Sequence, residues 1–129
     1  MTSTTPLIAI VDDEEPVCRA LGRLIRSEQL DAETFSSGEA FLETIPDHKP
    51  DCVVLDIQMP GVDGFEVQAS LSEAGLRIPV IVITGRDTTE ARARALQNGA
   101  VAYFRKPVDA DALLQAIAAA LASGSGDTN

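Results

Sequence analysis

Short apolar runs alternate with amphipathic stretches along almost the whole chain, and this alternation constrains the fold more than any other feature. The first run, Leu7–Val11, is apolar at every position, which is typical of a strand covered on both faces of a sheet. Further strands are predicted at 32–35, 52–55, 80–83 and 101–104, and a helical pattern follows each strand. Five successive βα units predict an α/β fold, a doubly wound five-stranded parallel sheet with five helices on its two faces. Of the two common strand orders for such sheets, five strands fit 2-1-3-4-5.

Residues that start and stop helices set the predicted helix boundaries. Pro16 is a favoured first-turn residue, and Ser36 with Glu39 fits a capping box at the start of a short second helix. A third helix is predicted over 64–74, and a fourth over 88–98 is closed by Gly99, a typical C-terminal cap. Asp109 is predicted to cap the fifth helix. The inward face of that helix is predicted to carry Leu113, Leu114, Ile117 and Leu121.

Length and charge narrow the class of protein. The 129 residues suit one domain, predicted over 1–122, and the Ser/Gly composition of 123–129 predicts a flexible C-terminal tail. Twenty acidic residues against ten basic residues give a formal net charge of −10. A chain with this charge repels phosphate backbones, so we expect no direct binding of nucleic acid.

The sequence also predicts where the chain resides. No apolar run approaches the ~20 residues that a membrane span needs, and the N-terminal residues lack the pattern of a signal peptide. Cys18 and Cys52 have neither the spacing of a metal site nor that of a redox pair, although a bond between them stays open on sequence alone. Two buried, reduced thiols and a cytoplasmic location without membrane association are therefore expected.

Polar residues stand at the carboxyl ends of the inner strands. Asp12 and Asp13 follow the first strand, Asp56 the third, Thr84 the fourth and Lys106 the fifth. In open α/β sheets, ligands bind outside these ends where the strand order reverses, which here is between the first and third strands. We therefore expect the three carboxylates to meet in one crevice.

Three carboxylates in one crevice repel one another unless a cation lies among them. The available ligands are hard oxygens, with no His or Cys nearby, and this favours Mg²⁺. The ammonium group of Lys106 neutralises part of the acidity, and the hydroxyl of Thr84 can donate a hydrogen bond. Such a site suits an incoming phosphoryl group, because phosphoryl transfer needs mainly positioning and charge stabilisation. An ionised Asp needs no general base to form an aspartyl phosphate.

Each of these residues also has an ordinary structural role when it is considered alone. Acids ahead of a helix commonly cap it, which accounts for Glu14 or Glu15, or for Asp12 and Asp13 taken by themselves. An Asp at a strand end, such as Asp56, commonly enters a turn. Strand-end threonines and solvated lysines are also common. The coincidence of such residues at four strand ends favours a functional site over these separate roles.

The residues at these strand ends resemble the receiver domain of two-component response regulators, the CheY-like family, over 7–121. The likeness rests on Asp-Asp-Glu at 12–14, Asp-Ile-Gln-Met-Pro-Gly-Val-Asp-Gly at 56–64, Ile-Thr-Gly at 83–85 and Lys-Pro at 106–107. Within that family the pattern is similar to the FixJ-type transcription regulators. The resemblance implies that Asp56 accepts a phosphoryl group. It further implies that Asp12, Asp13, Asp56 and the backbone carbonyl of Gln58 bind Mg²⁺.

The resemblance also implies a conformational switch. Thr84 and Lys106 would contact the phosphoryl oxygens, with a cis peptide bond between Lys106 and Pro107. Thr84 would move toward the phosphoryl group and Tyr103 would turn inward behind it, whereas an ordinary strand-end tyrosine keeps its hydroxyl in water. The altered surface would comprise the fourth helix, fifth strand and fifth helix, and it would bind a protein partner or a second copy. The small residues of the last helix would permit close approach and are also good helix formers: Ala116, Ala118, Ala119, Ala120 and Ala122.

Three further residues carry weaker signals. Gln58 and Arg86 are predicted to tune the lifetime of the phosphoryl group by gating water, although Arg86 equally suits a solvated position at a helix start. His48, the only histidine, is predicted to lie exposed and inert in a turn away from the site. Phosphotransfer through a histidine of this chain is therefore not expected.

The leading hypothesis is a receiver that takes a phosphoryl group from a sensor histidine kinase or a phosphotransfer protein and then acts on a downstream protein or effector domain. It would catalyse only its own phosphorylation and dephosphorylation. The alternative is a Mg²⁺-dependent phosphatase of haloacid-dehalogenase type, but Gln58 stands where that class has its second acid, and no cap region is present. A flavodoxin-like carrier is disfavoured because the acids at 12–15 would repel a flavin phosphate. A stand-alone receiver and a part of a larger transcription regulator both stay open.

Overall fold

The sheet has the predicted architecture. The protein is represented by a computed structural model, which describes residues 5–126 and the side chains of residues 5–123. Its strands are β1 (Leu7–Val11), β2 (Asp31–Phe35), β3 (Cys52–Asp56), β4 (Val80–Thr84) and β5 (Ala102–Arg105). All neighbouring strands pair in parallel, and the order β2-β1-β3-β4-β5 confirms the predicted order 2-1-3-4-5.

Helices follow the strands as predicted, with small differences at their ends. They are α1 (Glu15–Arg26), α2 (Gly38–Thr44), α3 (Gly64–Glu73), α4 (Thr89–Gln97) and α5 (Ala110–Gly126). The capping box predicted for Ser36 and Glu39 is wrong, because α2 begins one position later than that box requires. The hydroxyl of Ser37 caps α2 instead, accepting a hydrogen bond from the N–H of Ala40 at 3.1 Å. Within residues 5–126, no helix is long and apolar enough to cross a bilayer.

The last helix extends beyond the predicted end of the domain at 122. Asp109 accepts a hydrogen bond from Ala112 N at 2.9 Å, as its predicted capping role requires. Leu113 and Ile117 are buried, whereas Leu114 and Leu121 are half-buried. α5 continues through 123–126, where a flexible tail was predicted, although serine and glycine are weaker helix formers than the alanines before them. The rest of that tail, 127–129, lies outside the described residues.

The apolar core lies on both faces of the sheet. One cluster packs α2, α3 and α4 against one face and includes Phe41 and Val67. The other packs α1 and α5 against the opposite face and includes Ile25 and Leu113. Every residue of β3 and β4 is buried, as the continuous apolar runs predict. Helices thus cover both faces of the sheet, and the polar residues lie at its carboxyl edge.

The loop that follows β3 is fixed against the strand end. A capping box that was not predicted from the sequence pairs Asp63 with Glu66 at the start of α3. A Cβ atom at Gly64 would lie 2.5 Å from Ile57 Cα and 2.7 Å from the carbonyl oxygen of Asp56. Only glycine fits this close approach. The start of α3 therefore packs directly on the backbone that carries Asp56.

Candidate functional site

Three aspartates meet at the carboxyl edge of the sheet. Asp12 and Asp13 follow β1 and Asp56 ends β3, and one carboxylate oxygen of each lies within 4.8 Å of the others. Asp12 is 0% exposed and Asp56 is 2% exposed, whereas Asp13 faces solvent. No other such cluster of potential metal ligands occurs among residues 5–123. The three residues thus lie together, as their positions at the strand ends predict.

Backbone hydrogen bonds orient the two buried carboxylates. Asp12 Oδ1 accepts from the N–H of Glu14 at 2.8 Å, and Asp56 Oδ1 accepts from the N–H of Gln58 at 3.0 Å. Each carboxylate therefore has one oxygen held by its own loop. The second oxygen of each side chain, Oδ2, is directed toward Lys106.

Lys106 brings the positive charge into this cluster. Its Nζ lies 2.8 Å from Asp12 Oδ2, 2.8 Å from Glu14 Oε1 and 3.5 Å from Asp56 Oδ2. The side chain is only 15% exposed, and the Lys106–Pro107 peptide bond is cis, as the resemblance implied. The ordinary role of a solvated lysine is therefore wrong for this residue.

The pKa values of the buried groups follow from their surroundings. Burial raises the pKa of Asp56 to about 6, and the charge of Asp12 adds to this effect while the N–H of Gln58 and the ammonium group of Lys106 oppose it. Burial lowers the pKa of Lys106, but its contacts with the carboxylates of Asp12 and Glu14 and the charge of Asp56 outweigh burial and raise it above its usual value. One ammonium group thus faces several carboxylates, and the excess negative charge favours a bound cation.

The oxygens of the three aspartates fit a hard divalent cation. Carboxylates at this spacing, without thiol or imidazole ligands, are the donors that Mg²⁺ takes in proteins. The adjoining cleft has a volume of about 320 Å³, so it has room for a small anionic group beside the cation. It is lined by Asp13, Glu14, Asp56, Gln58, Gly85, Arg86 and Lys106. Both residues predicted to tune the phosphoryl lifetime, Gln58 and Arg86, therefore border the cleft.

Thr84 ends β4, and its hydroxyl is held within the loop that follows. The side chain is fully buried. Its Oγ1 accepts from the N–H of Arg86 at 3.0 Å and donates to the carbonyl oxygen of Arg86 at 3.2 Å. The hydroxyl must give up the second contact before it can donate to a group bound at Asp56.

Tyr103 is linked to the same loop. Its hydroxyl donates to Asp87 Oδ1 at 3.0 Å, and the guanidinium carbon of Arg92 lies 5.4 Å from the centroid of its ring. The residue is 9% exposed, and its hydroxyl has a protein partner in Asp87. Asp87 was not singled out from the sequence, because nothing in its spacing marks it as a partner of a residue in β5.

Glu14 does not have the capping role that its position before α1 suggests. It precedes α1, where capping was one interpretation, but its side chain makes no capping hydrogen bond. It bonds to Lys106 instead. By contrast, His48 lies away from the cluster as expected, although it is paired with Glu33 at 3.3 Å and so is not wholly without contacts.

A sequence model of the response regulator receiver domain matches residues 8–118, a range that includes every residue of this cluster. The chain belongs to this family. It is thus a receiver domain of two-component response regulators, a regulatory module in which phosphorylation-dependent switching is typical. The haloacid-dehalogenase alternative is not favoured.

Individual relatives agree with the family match. Response regulator protein TodT of Pseudomonas putida is 40% identical over 121 residues, which cover 94% of this chain and 53% of TodT. Transcriptional regulatory protein TdiR of Thauera aromatica is 36% identical over 121 residues, with the same coverage of 94% and 53%. The crystal structure of FixJ-N has a TM-score of 0.84 at 33% identity and covers 92% of this chain and 95% of that chain. The chain therefore spans about half the length of the curated relatives it matches.

Proposed function

We propose that Asp56 of this receiver domain accepts a phosphoryl group, and that Asp12, Asp13, Asp56 and the backbone carbonyl of Gln58 hold Mg²⁺ beside it. The observation that carries this proposal is the convergence of three carboxylates within 4.8 Å, with Lys106 between Asp12 and Asp56. Bound Mg²⁺ supplies positive charge that offsets the carboxylates and the incoming phosphoryl oxygens.

The chain's own residues supply the rest of the chemistry. A carboxylate oxygen of Asp56 attacks phosphorus, the phosphorus–nitrogen bond of a phosphohistidine donor breaks, and the donor imidazole leaves with the bonding electron pair. Lys106 and Thr84 donate hydrogen bonds to the transferred oxygens. Attack of water on the aspartyl phosphate restores Asp56 and releases phosphate. The chain thus catalyses its own phosphorylation and dephosphorylation, and Gln58 and Arg86 at the cleft wall control access of that water.

The switch follows from the hydrogen bond that Thr84 must break. Once its hydroxyl turns from the carbonyl oxygen of Arg86 to the phosphoryl group, the loop that carries Asp87 loses a restraint, and Tyr103 responds. The affected surface comprises α4, β5 and α5. Two exposed apolar side chains lie on or beside these elements, Leu96 of α4 at 45% exposure and Val101 just before β5 at 56%, and they suit a protein partner or a second copy.

The donor in this scheme is a sensor histidine kinase or a phosphotransfer protein in the cytoplasm. The output lies in a downstream protein or in an effector domain, since the relatives are about twice as long as this chain. With a net charge of −10, the receiver itself does not contact nucleic acid.

Substitution of the acceptor tests the proposal. We expect wild-type chain with acetyl phosphate and Mg²⁺ to gain one phosphoryl group by intact-mass spectrometry, and Asp56→Asn to gain none, while Asp47→Asn in an exposed turn behaves as wild type. Labelling of Asp56→Asn to the wild-type level would refute the assignment. Light scattering with beryllofluoride, a phosphoryl mimic, then distinguishes a second copy from another protein as the partner.

A further inference from the structure

The side chain of Glu14 has a conformation that helix capping does not explain. Glu14 is the N-cap residue of α1, yet its carboxylate accepts no hydrogen bond from the helix backbone. Its Oε1 lies 2.8 Å from Nζ of Lys106, 92 positions away along the chain. The contact is between two loops at the carboxyl edge of the sheet, and it borders the cleft beside Asp56.

The ammonium group of Lys106 has three N–H donors. One donates to Glu14 Oε1 at 2.8 Å. Nζ also lies 2.8 Å from Asp12 Oδ2, an ion-pair contact without hydrogen-bond geometry, and 3.5 Å from Asp56 Oδ2. Because a lysine side chain loses considerable rotamer entropy when it is fixed, the contacts with Glu14 and Asp12 place the ammonium group before any ligand arrives.

We propose that Glu14 is a positioning residue that holds the ammonium group of Lys106 with one N–H free for the phosphoryl group on Asp56. The inference rests on the proposed function of Asp56. Asp12 is also assigned to the cation site, whereas Glu14 is not. Glu14 is therefore the anchor of Lys106 that no cation shares.

Simple electrostatics predicts the opposite effect of removing Glu14. A negative charge beside the cleft repels an anion, so its loss should strengthen anion binding. Positioning predicts weaker binding, because Lys106 must then be ordered when the anion binds. The sign of the change in affinity distinguishes the two explanations.

The test compares beryllofluoride affinity in the presence of Mg²⁺, measured by fluorine NMR on intact chains. We expect Glu14→Gln to bind about fivefold more weakly than wild type, as for the loss of one partly exposed ion pair. Glu14→Asp should be similarly weak despite its charge, because its shorter side chain cannot span the contact and favours capping α1. Glu15→Gln is the matched control, because Glu15 is the next residue, is exposed and pairs only weakly with Arg19 at 3.8 Å. The affinity of this variant for beryllofluoride should equal that of wild type. Equal or tighter binding by Glu14→Gln would overturn the proposal.

A second measurement needs no ligand. The chain has two lysines, Lys106 and the exposed Lys49. We expect NMR of the metal-free chain to show slowly exchanging ammonium protons for Lys106 in wild type, and to lose them in Glu14→Gln, with Lys49 rapidly exchanging in both. An unchanged Lys106 signal would show that Glu14 does not hold it. If wild type bound no beryllofluoride, the proposed function of Asp56 would fail, while this comparison would still decide whether Glu14 anchors Lys106.

Discussion

The contacts of Tyr103 connect the loop after β4, beside the aspartate cluster, with β5. Its hydroxyl is bonded to Asp87, and Asp87 lies next to Arg86, whose backbone holds the hydroxyl of Thr84. Three hydrogen bonds and one peptide step thus connect the end of β4 to the aromatic ring in β5. A change at Thr84 can therefore alter the Tyr103 contact without any large movement of the sheet.

The Asp87 contact predicts the ionisation of this tyrosine. Burial raises the pKa of Tyr103, and the hydrogen bond and charge of Asp87 raise it further. Because the pKa of Tyr103 is higher in the folded chain than in the unfolded chain, the protonated phenol adds to the free energy of unfolding. This contribution is fully present below the unfolded-state pKa of about 10, and it is lost as the pH rises through the higher folded-state pKa. We expect Asp87→Asn to lower the pKa, though not below its usual value, because burial remains. Tyr103 is the only tyrosine and the chain has no tryptophan, so the absorbance of tyrosinate near 295 nm measures it directly. Asp47→Asn, in an exposed turn, is the control, and an unchanged midpoint in Asp87→Asn would contradict the assignment.

At the scale of helices and strands, hydrophobic periodicity predicted the type and order of every element, and its ends less well. Strands buried on both faces form continuous apolar runs with clear ends, so the sequence located β1, β3 and β4 to within a residue. The start of α2 was misplaced because both Ser36 and Ser37 can cap a helix. Which serine does so depends on the backbone conformation, and Ser37 is extended with φ −154° and ψ 158°. Periodicity carries no information on that choice.

The two serines therefore give a matched test at the start of α2. Ser37→Ala removes the acceptor of the Ala40 N–H and should destabilise the fold by about 1 kcal/mol, or roughly 4 °C in Tm. Ser36→Ala should change stability by less than about 0.5 kcal/mol, because Ser36 is exposed and does not cap α2. Thermal unfolding followed by circular dichroism measures both variants. Equal loss from both, or a larger loss from Ser36→Ala, would restore the capping box that the sequence suggested.

For the whole molecule, the sequence was sufficient to locate the site but not its internal contacts. Parallel strands present their carboxyl ends at one edge, so Asp12, Asp56 and Lys106 could be brought together from strand order alone. The link from Glu14 to Lys106 and the link from Tyr103 to Asp87 depend on the reach of side chains from loops. Residues that lie 92 and 16 positions apart share no sequence pattern that would reveal such contacts. Both links lie where the proposed switch would act.

The concentration of acids at one edge also predicts how a cation changes the stability of the whole fold. The site assembles only in the folded chain, so a cation that binds there stabilises it by mass action, by about 2.7 kcal/mol at one hundred times the dissociation constant. We expect Mg²⁺ to raise the Tm of wild type in thermal unfolding.

Replacement of the exposed member of the cluster separates repulsion from binding. Asp13→Asn removes one of three clustered charges, so it should raise Tm in the absence of Mg²⁺ and abolish most of the rise that Mg²⁺ produces. Asp47→Asn removes the same charge elsewhere and should retain the full response to Mg²⁺. A rise in Tm that persists in Asp13→Asn would mean that the cation acts on the overall charge of −10 rather than at this cluster. General screening cannot remove the response to Mg²⁺ from Asp13→Asn alone, because screening would affect both aspartate variants alike.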